Sequence, residues 1–389
     1  MQLWLEGIAQ IDENTAYASC SEFNALFKVD LKTGDCTYVA LFPDEKLNAK
    51  RLFIKAVFVN GKIYFIPASA SAISVYDVET GTFESIIIRD DFVNEKYSRK
   101  YKFADAFIYR DTICILPATY PTVVKLNYKE NTLEYFSKNM PETEYLFRPG
   151  TAQIGNKLYV PNTKDNLVLE FDMETNDIRK HYVGKNNHGS WSMVADGDYL
   201  WLIPQRHGAI VKWNYKNGDV FEYDVYPDGY VESDFCFTKG YKSGEHIYVL
   251  PAKANMFIKV KLTGVMEENN LLQLQNHEMV TYMFHLGDYE YFYKSSKESV
   301  QKSFIYYRLN RCNNFIEEWG FRFCNKREIY ANVYFIKRAN LVNGIPKYRE
   351  TEFGNVGLFL KAITKSLSVD KEIEKTNIKI GEKIYTGIL

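Results

Sequence analysis

A short apolar strand ending in proline, an alternating strand, and a turn built on Gly or Asn return about every 45 residues along this chain, a spacing that points to radially repeated sheets. The apolar strands end at Cys20, Pro67, Pro117, Pro161, Pro204, Pro251 and Lys294. In the second unit Asn60-Gly61 separates two apolar runs, Ala56 to Val59 and Lys62 to Pro67. Asn-Gly in that position predicts a tight hairpin, because the turn needs positive φ at both central residues. The matching turns are read at Arg110-Asp111, Gly155-Asn156, Asp196-Gly197, Ser243-Gly244 and Gly287-Asp288.

A second landmark joins the third and fourth strands of each unit. It reads Asp30 to Gly34, Asp77 to Gly81, Asn127 to Asn131, Asp172 to Asn176 and Asn214 to Gly218. The leading Asp or Asn bonds its own turn through the side chain, and the closing Gly or Asn accepts the left-handed conformation. The sixth copy is shortened to Lys261-Leu262-Thr263-Gly264, and the seventh, Arg311-Cys312-Asn313, reads as degenerate. Four antiparallel strands per unit with apolar inner strands must bury both faces, which radial stacking supplies. The expected fold is all-β: a β-propeller of seven four-stranded blades over 1–324, or six if Val280 to Phe323 belongs to the C-terminal appendage.

At this point the chain resembles the Kelch-like propellers and, more loosely, WD-like ones. Gly61-Lys62-Ile63-Tyr64 and Tyr76-Asp77-Val78-Glu79-Thr80-Gly81 carry the likeness, with weaker copies over residues 7–323. The Gly-Gly doublet of Kelch repeats is replaced by Pro67-Ala68, Pro117-Ala118, Pro161-Asn162, Pro204-Gln205 and Pro251-Ala252. The resemblance implies frequent use as a protein-binding scaffold, with a minority of enzymes.

Beyond Asn325 the period fades. Val356, Phe359, Leu360, Ile363 and Leu367 recur at helical spacing, as do Ile384, Tyr385, Ile388 and Leu389, so 325–389 reads as an α-helical appendage packed on the propeller or offered to a partner. The 48 basic and 49 acidic side chains leave no global field for nucleic acid or an anionic membrane. Six singly scattered cysteines form neither a disulfide framework nor a zinc knuckle. With no basic leader and no long apolar run, a soluble cytoplasmic protein is expected. Dinucleotide, Walker, zinc-protease, nucleophile-elbow and calcium-loop motifs are absent, so neither a cofactor nor a metal is expected.

In a four-stranded blade the loop between strands two and three opens on the same end of the ring as the connection between blades. Loops on such an end converge over the channel and make the usual binding face. His188 and His207 are placed there by the sequence, with Arg148, Arg206, Trp191 and Asp234 around them. Counting five residues back from each hairpin turn puts Lys55, Asp105, Gly150, Trp191 and Tyr282 on the channel wall. The leading expectation is a non-catalytic module that binds a protein or glycan at this face. The alternative is a lyase or hydrolase acting on a small or saccharide substrate, with His188 and His207 as acid and base and an arginine on a carboxylate.

Overall fold

The computed structural model describes residues 4–46, 49–89, 101–136, 150–185, 189–272, 274–275, 278–296 and 304–324. Seven four-stranded antiparallel sheets follow one another, each with its strands in chain order, and form a seven-bladed β-propeller. The seventh unit is therefore a blade and the six-blade option falls. The innermost strands are Leu5–Gln10, Phe53–Val59, Phe103–Tyr109, Ala152–Ile154, Ser190–Asp196, Phe237–Ser243 and Glu278–Leu286. The helical stripes expected in 325–389 lie outside the described residues.

The turns follow the sequence signals, with three differences. Asn60 and Gly61 both take positive φ, at 51° and 76°. In blades 5 and 6 the ladder closes on Asp196↔Tyr199 and Ser243↔His246, so the central pairs are Gly197-Asp198 and Gly244-Glu245, one residue later than the sequence suggested. The seventh outer turn is regular: Asn310 Oδ1 accepts from the amides of Cys312 and Asn313 at 2.9 and 3.4 Å, and Asn314 takes φ 55° in place of Gly. Asp30, Asp77, Asn127, Asp172 and Asn214 make the same two bonds.

The core is seven wedges, one at each blade junction. Strand alternation sends Ile63 and Phe65 of the second blade into the wedge shared with blade 1, and Tyr64 and Ile66 into the wedge shared with blade 3. In blade 5, Leu200 and Leu202 likewise face blade 4 while Trp201 and Ile203 face blade 6. A strand covered on both faces reads as an unbroken apolar run, which accounts for Lys62–Pro67 and Tyr199–Pro204.

The closing proline has a backbone role. It cannot donate to a ladder, and in blades 2, 3, 5 and 6 it stands opposite the first residue of the innermost strand, beside a one-residue bulge. The next residue resumes the bonding. Ala68, Ala118 and Ala252 donate to Leu52, Lys102 and Cys236 at 2.7, 2.9 and 2.6 Å within their own blades. The carbonyl at that position then accepts from the following blade: Arg51 to Ser21, Lys102 to Ala68, Ser190 to Asn162, Cys236 to Gln205 and Val280 to Ala252, all between 2.7 and 2.9 Å.

The ring closes through a short fifth strand. Arg322–Phe323 runs parallel to Asp35–Ala40, the outer strand of blade 1, with Arg322 donating to Gly34 and Cys324 to Cys36 at 2.8 and 2.7 Å. Gly34, at φ 80°, has the Gly320 carbonyl where any Cβ would sit. Trp319, 8% exposed, packs in the blade 7–blade 1 wedge and donates its indole N–H to Leu31 at 3.2 Å. Arg308 donates to the same carbonyl at 2.8 Å.

Trp319→Ala is expected to lower stability by about 3–5 kcal/mol, the usual cost of emptying a buried aromatic site. Phe315→Ala, at a side chain 60% exposed in the same blade, should change it by no more than about 0.5 kcal/mol. Urea unfolding of both variants separates closure of the ring from general loss of aromatic surface.

Candidate functional site

The bonds between blades set each second-to-third-strand loop against the next blade's connection, and the face they build is charged in matched pairs. His207 Nδ1 meets Glu232 Oε2, a partner from the connection between blades 5 and 6. Asp234, on that connection, accepts from Lys253 of blade 6 at 2.8 and 3.1 Å. These bonds, with Ser233 second, hold its carboxyl below the usual aspartate range. Trp191 packs edge-on against Phe235 at 4.9 Å. Arg206 is exposed beside His207. His188 and Arg148 lie outside the described residues, and with them the expected histidine pair and its arginine.

Between those pairs the connection 224–236 is a built loop. Tyr226 and Tyr230 stack at 4.3 Å with 12° between their planes, and both stack on Phe237 at 6.1 Å. Tyr226 donates its hydroxyl to Gly208 at 2.8 Å, and burial pushes both phenols upward in pKa. Asn255 of blade 6 accepts from the Val231 amide at 2.8 Å and donates to Gly229 at 2.9 Å. Held from both sides, the loop leaves Val225 81% and Val231 56% exposed, with Asp224, Asp228, Glu232 and Asp234 around them.

The channel is the second candidate. Lys55 and Asp105, on neighbouring innermost strands, pair at 3.1 Å. Lys239 of blade 6 places its ammonium 5.3 Å from the centre of the Tyr282 ring of blade 7. It also interacts electrostatically with Glu290, Asp105 and Lys55, so charges from blades 2, 3 and 7 act on it. Desolvation pushes Lys239 below the ordinary lysine range and Tyr282 well above the ordinary tyrosine range, the latter reinforced by Glu290 and Asp105. Gly150 lies on the blade 4 wall, where a Cβ would fall 2.2 Å from the Trp191 carbonyl. The blade 5 position is Ser192, buried and accepting from the Gly240 amide at 3.1 Å.

Toward the hairpin end of blade 7, Glu290 is only 2% exposed. Its Oε1 lies 3.4 Å from His285 Nδ1 and 3.8 Å from Arg311 Nε, while its Oε2 and Arg311 Nε make no hydrogen bond among the described residues. Burial pushes His285 below the ordinary histidine range. The Arg311 guanidinium lies 5.9 Å from the centre of the Tyr241 ring.

Sequence reasoning placed Lys55, Asp105 and Tyr282 on this wall and missed Lys239. With the hairpin turns moved by one residue, the count of five gives Ser192 instead of Trp191 and brings in Lys239. Trp191 is the bulge residue, and its ring goes to Phe235. Glu290, His285 and Arg311 carried no periodic signal. Among the described residues no three His, Cys, Asp or Glu side chains stand together as metal ligands.

No family model matches the chain, and no curated protein matches it by sequence. Among solved structures, a streptogramin B lyase aligns with a TM-score of 0.53 at 14% identity, over 81% of this chain and 92% of that one. U3-55K aligns at 0.49 and 9% identity over 75% and 88% of the two chains. Kluyveromyces lactis Hsv2 aligns at 0.46 and 10% identity over 82% and 98%. At such identities the likeness is one of fold alone.

An enclosed ammonium below its normal pKa destabilises the folded state at neutral pH. Between the folded and unfolded pKa values the unfolded chain binds more protons, so this cost fades as pH rises through that window. Lys239→Met is therefore expected to raise stability near neutral pH and to flatten the rise of stability toward alkaline pH. Urea titrations at neutral and alkaline pH check both signs.

Proposed function

We propose that this propeller is a non-catalytic recognition module that binds a protein through its loop face, with the 224–236 loop at the centre of the contact. The observation that carries the reading is a braced loop with two exposed valines inside a charged rim. An apolar centre with a polar border is the usual anatomy of a protein interface. A loop already ordered by Tyr226, Tyr230 and Asn255 loses little freedom on binding. The Kelch-like repeat pattern supports the same use, and six free thiols suit the reducing cytoplasm. His207 paired with Glu232 in an exposed loop serves equally well as part of that rim, which weighs against the lyase or hydrolase alternative.

Replacing Val225 and Val231 together by Glu leaves the fold within about 0.5 kcal/mol, since both side chains are exposed. It is expected to weaken a partner captured by the wild-type protein by about tenfold or more, as loss of a central contact does. Affinity capture followed by titration of the purified partner against both forms reads this directly. A partner whose affinity ignores the double variant would refute the reading. So would binding confined to glycans, or turnover of a small molecule that depends on His188 and His207.

A further inference from the structure

We propose that the channel, at the level of Lys55, Asp105, Lys239 and Tyr282, is a binding site for a small oxyanion of the carboxylate or phosphate class, with the Lys239 ammonium as its counter-charge. The site is separate from the loop face, and nothing in it depends on a protein partner there.

Lys239 is an unmatched charge among the described channel residues. Lys55 is answered by Asp105 at 3.1 Å, whereas Lys239 Nζ has no hydrogen-bond acceptor among the described residues and only the face of Tyr282 beside it. Enclosed charge without a hydrogen-bonded counter-charge is unfavourable, and an oxyanion supplies both the charge and the acceptor. Three cations, Lys55, Lys239 and Arg311, stand against two carboxylates, Asp105 and Glu290, which leaves room for one negative charge.

At this level blade 4 brings the Gly150 backbone against the Trp191 carbonyl, and blade 5 brings Ser192, buried with its oxygen held by the Gly240 amide, so neither adds a charge beside Lys239.

Isothermal titration of the full chain with acetate, glycolate and inorganic phosphate, as separate arms, tests this. At least one probe is expected to saturate at a single site. Lys239→Met should weaken it by about tenfold or more, as removal of one partner of an enclosed charge pair does. Lys62→Met, which removes an equal charge from the Lys62–Glu84 surface pair, should leave affinity unchanged. A carboxylate that binds should also lose affinity as pH rises and Lys239, held below the ordinary lysine range, gives up its proton among Asp105, Lys55, Glu290, Arg311 and Tyr282. Saturation by phosphate alone or by carboxylates alone fixes the class. Absence of saturation by all three up to about 50 mM, where a single ion pair already registers, overturns the proposal, as does equal binding by Lys239→Met.

Discussion

One backbone residue, the one just past the end of each second strand, ties every described junction of the ring that it reaches. At Ser21, Ala68 and Ala252 its N–H bonds the residue leading into its own innermost strand, and its carbonyl accepts from a residue at or just before the start of the next. No side chain takes part. Ser, Ala, Asn, Gln and Ala therefore occupy the accepting position at five of the junctions without loss of the bond. A period built on main-chain geometry persists while side chains drift, and that is why the repeat is plain in a chain that matches no family model. The same bond brings second-to-third-strand loops against the next connection, so the loop face exists because of it.

The architecture was legible because each of its signals is local. An Asp or Asn that bonds its own turn needs only four or five residues, and a strand buried on both faces shows as an apolar run wherever it lies. The register at the channel was less legible. Asp196-Gly197 and Ser243-Gly244 look like turn dipeptides, yet the ladder continues through Asp196 and Ser243 and turns on the glycine. Since side chains alternate, a slip of one residue replaces the whole wall-facing set. That slip hid Lys239 and put Trp191 in its blade's place. The seventh outer turn was misread for a similar reason: Asn310 does the bonding, one residue before the Arg311 from which the motif was counted.

Charge is handled differently at the two candidate sites. On the loop face His207–Glu232 and Asp234–Lys253 are exposed pairs, weakened by the surrounding water and each easily traded for a contact with a partner. In the channel an unmatched charge is far more expensive, because protein atoms replace most of the water that would solvate it. A surface built from weak pairs is suited to exchange. An enclosed unpaired ammonium is suited to holding something.

Lys239 has few ways to relax out of this position. A lysine near a strand end extends its stem and returns its head to solvent. Lys239 instead sits mid-strand, next to a bulge, with Gly240 bonded to Ser192 of the neighbouring blade and the Tyr282 ring against its head. Shifting its backbone would strain the Gly240–Ser192 bond between two innermost strands, which the wedges of blades 5, 6 and 7 hold in register. The rigidity that closes the ring thus keeps the charge where it is costly. In a scaffold where Lys55 is paired with Asp105, a fixed unfavourable charge at Lys239 marks the place where the structure is complete only with a counter-charge from outside the chain.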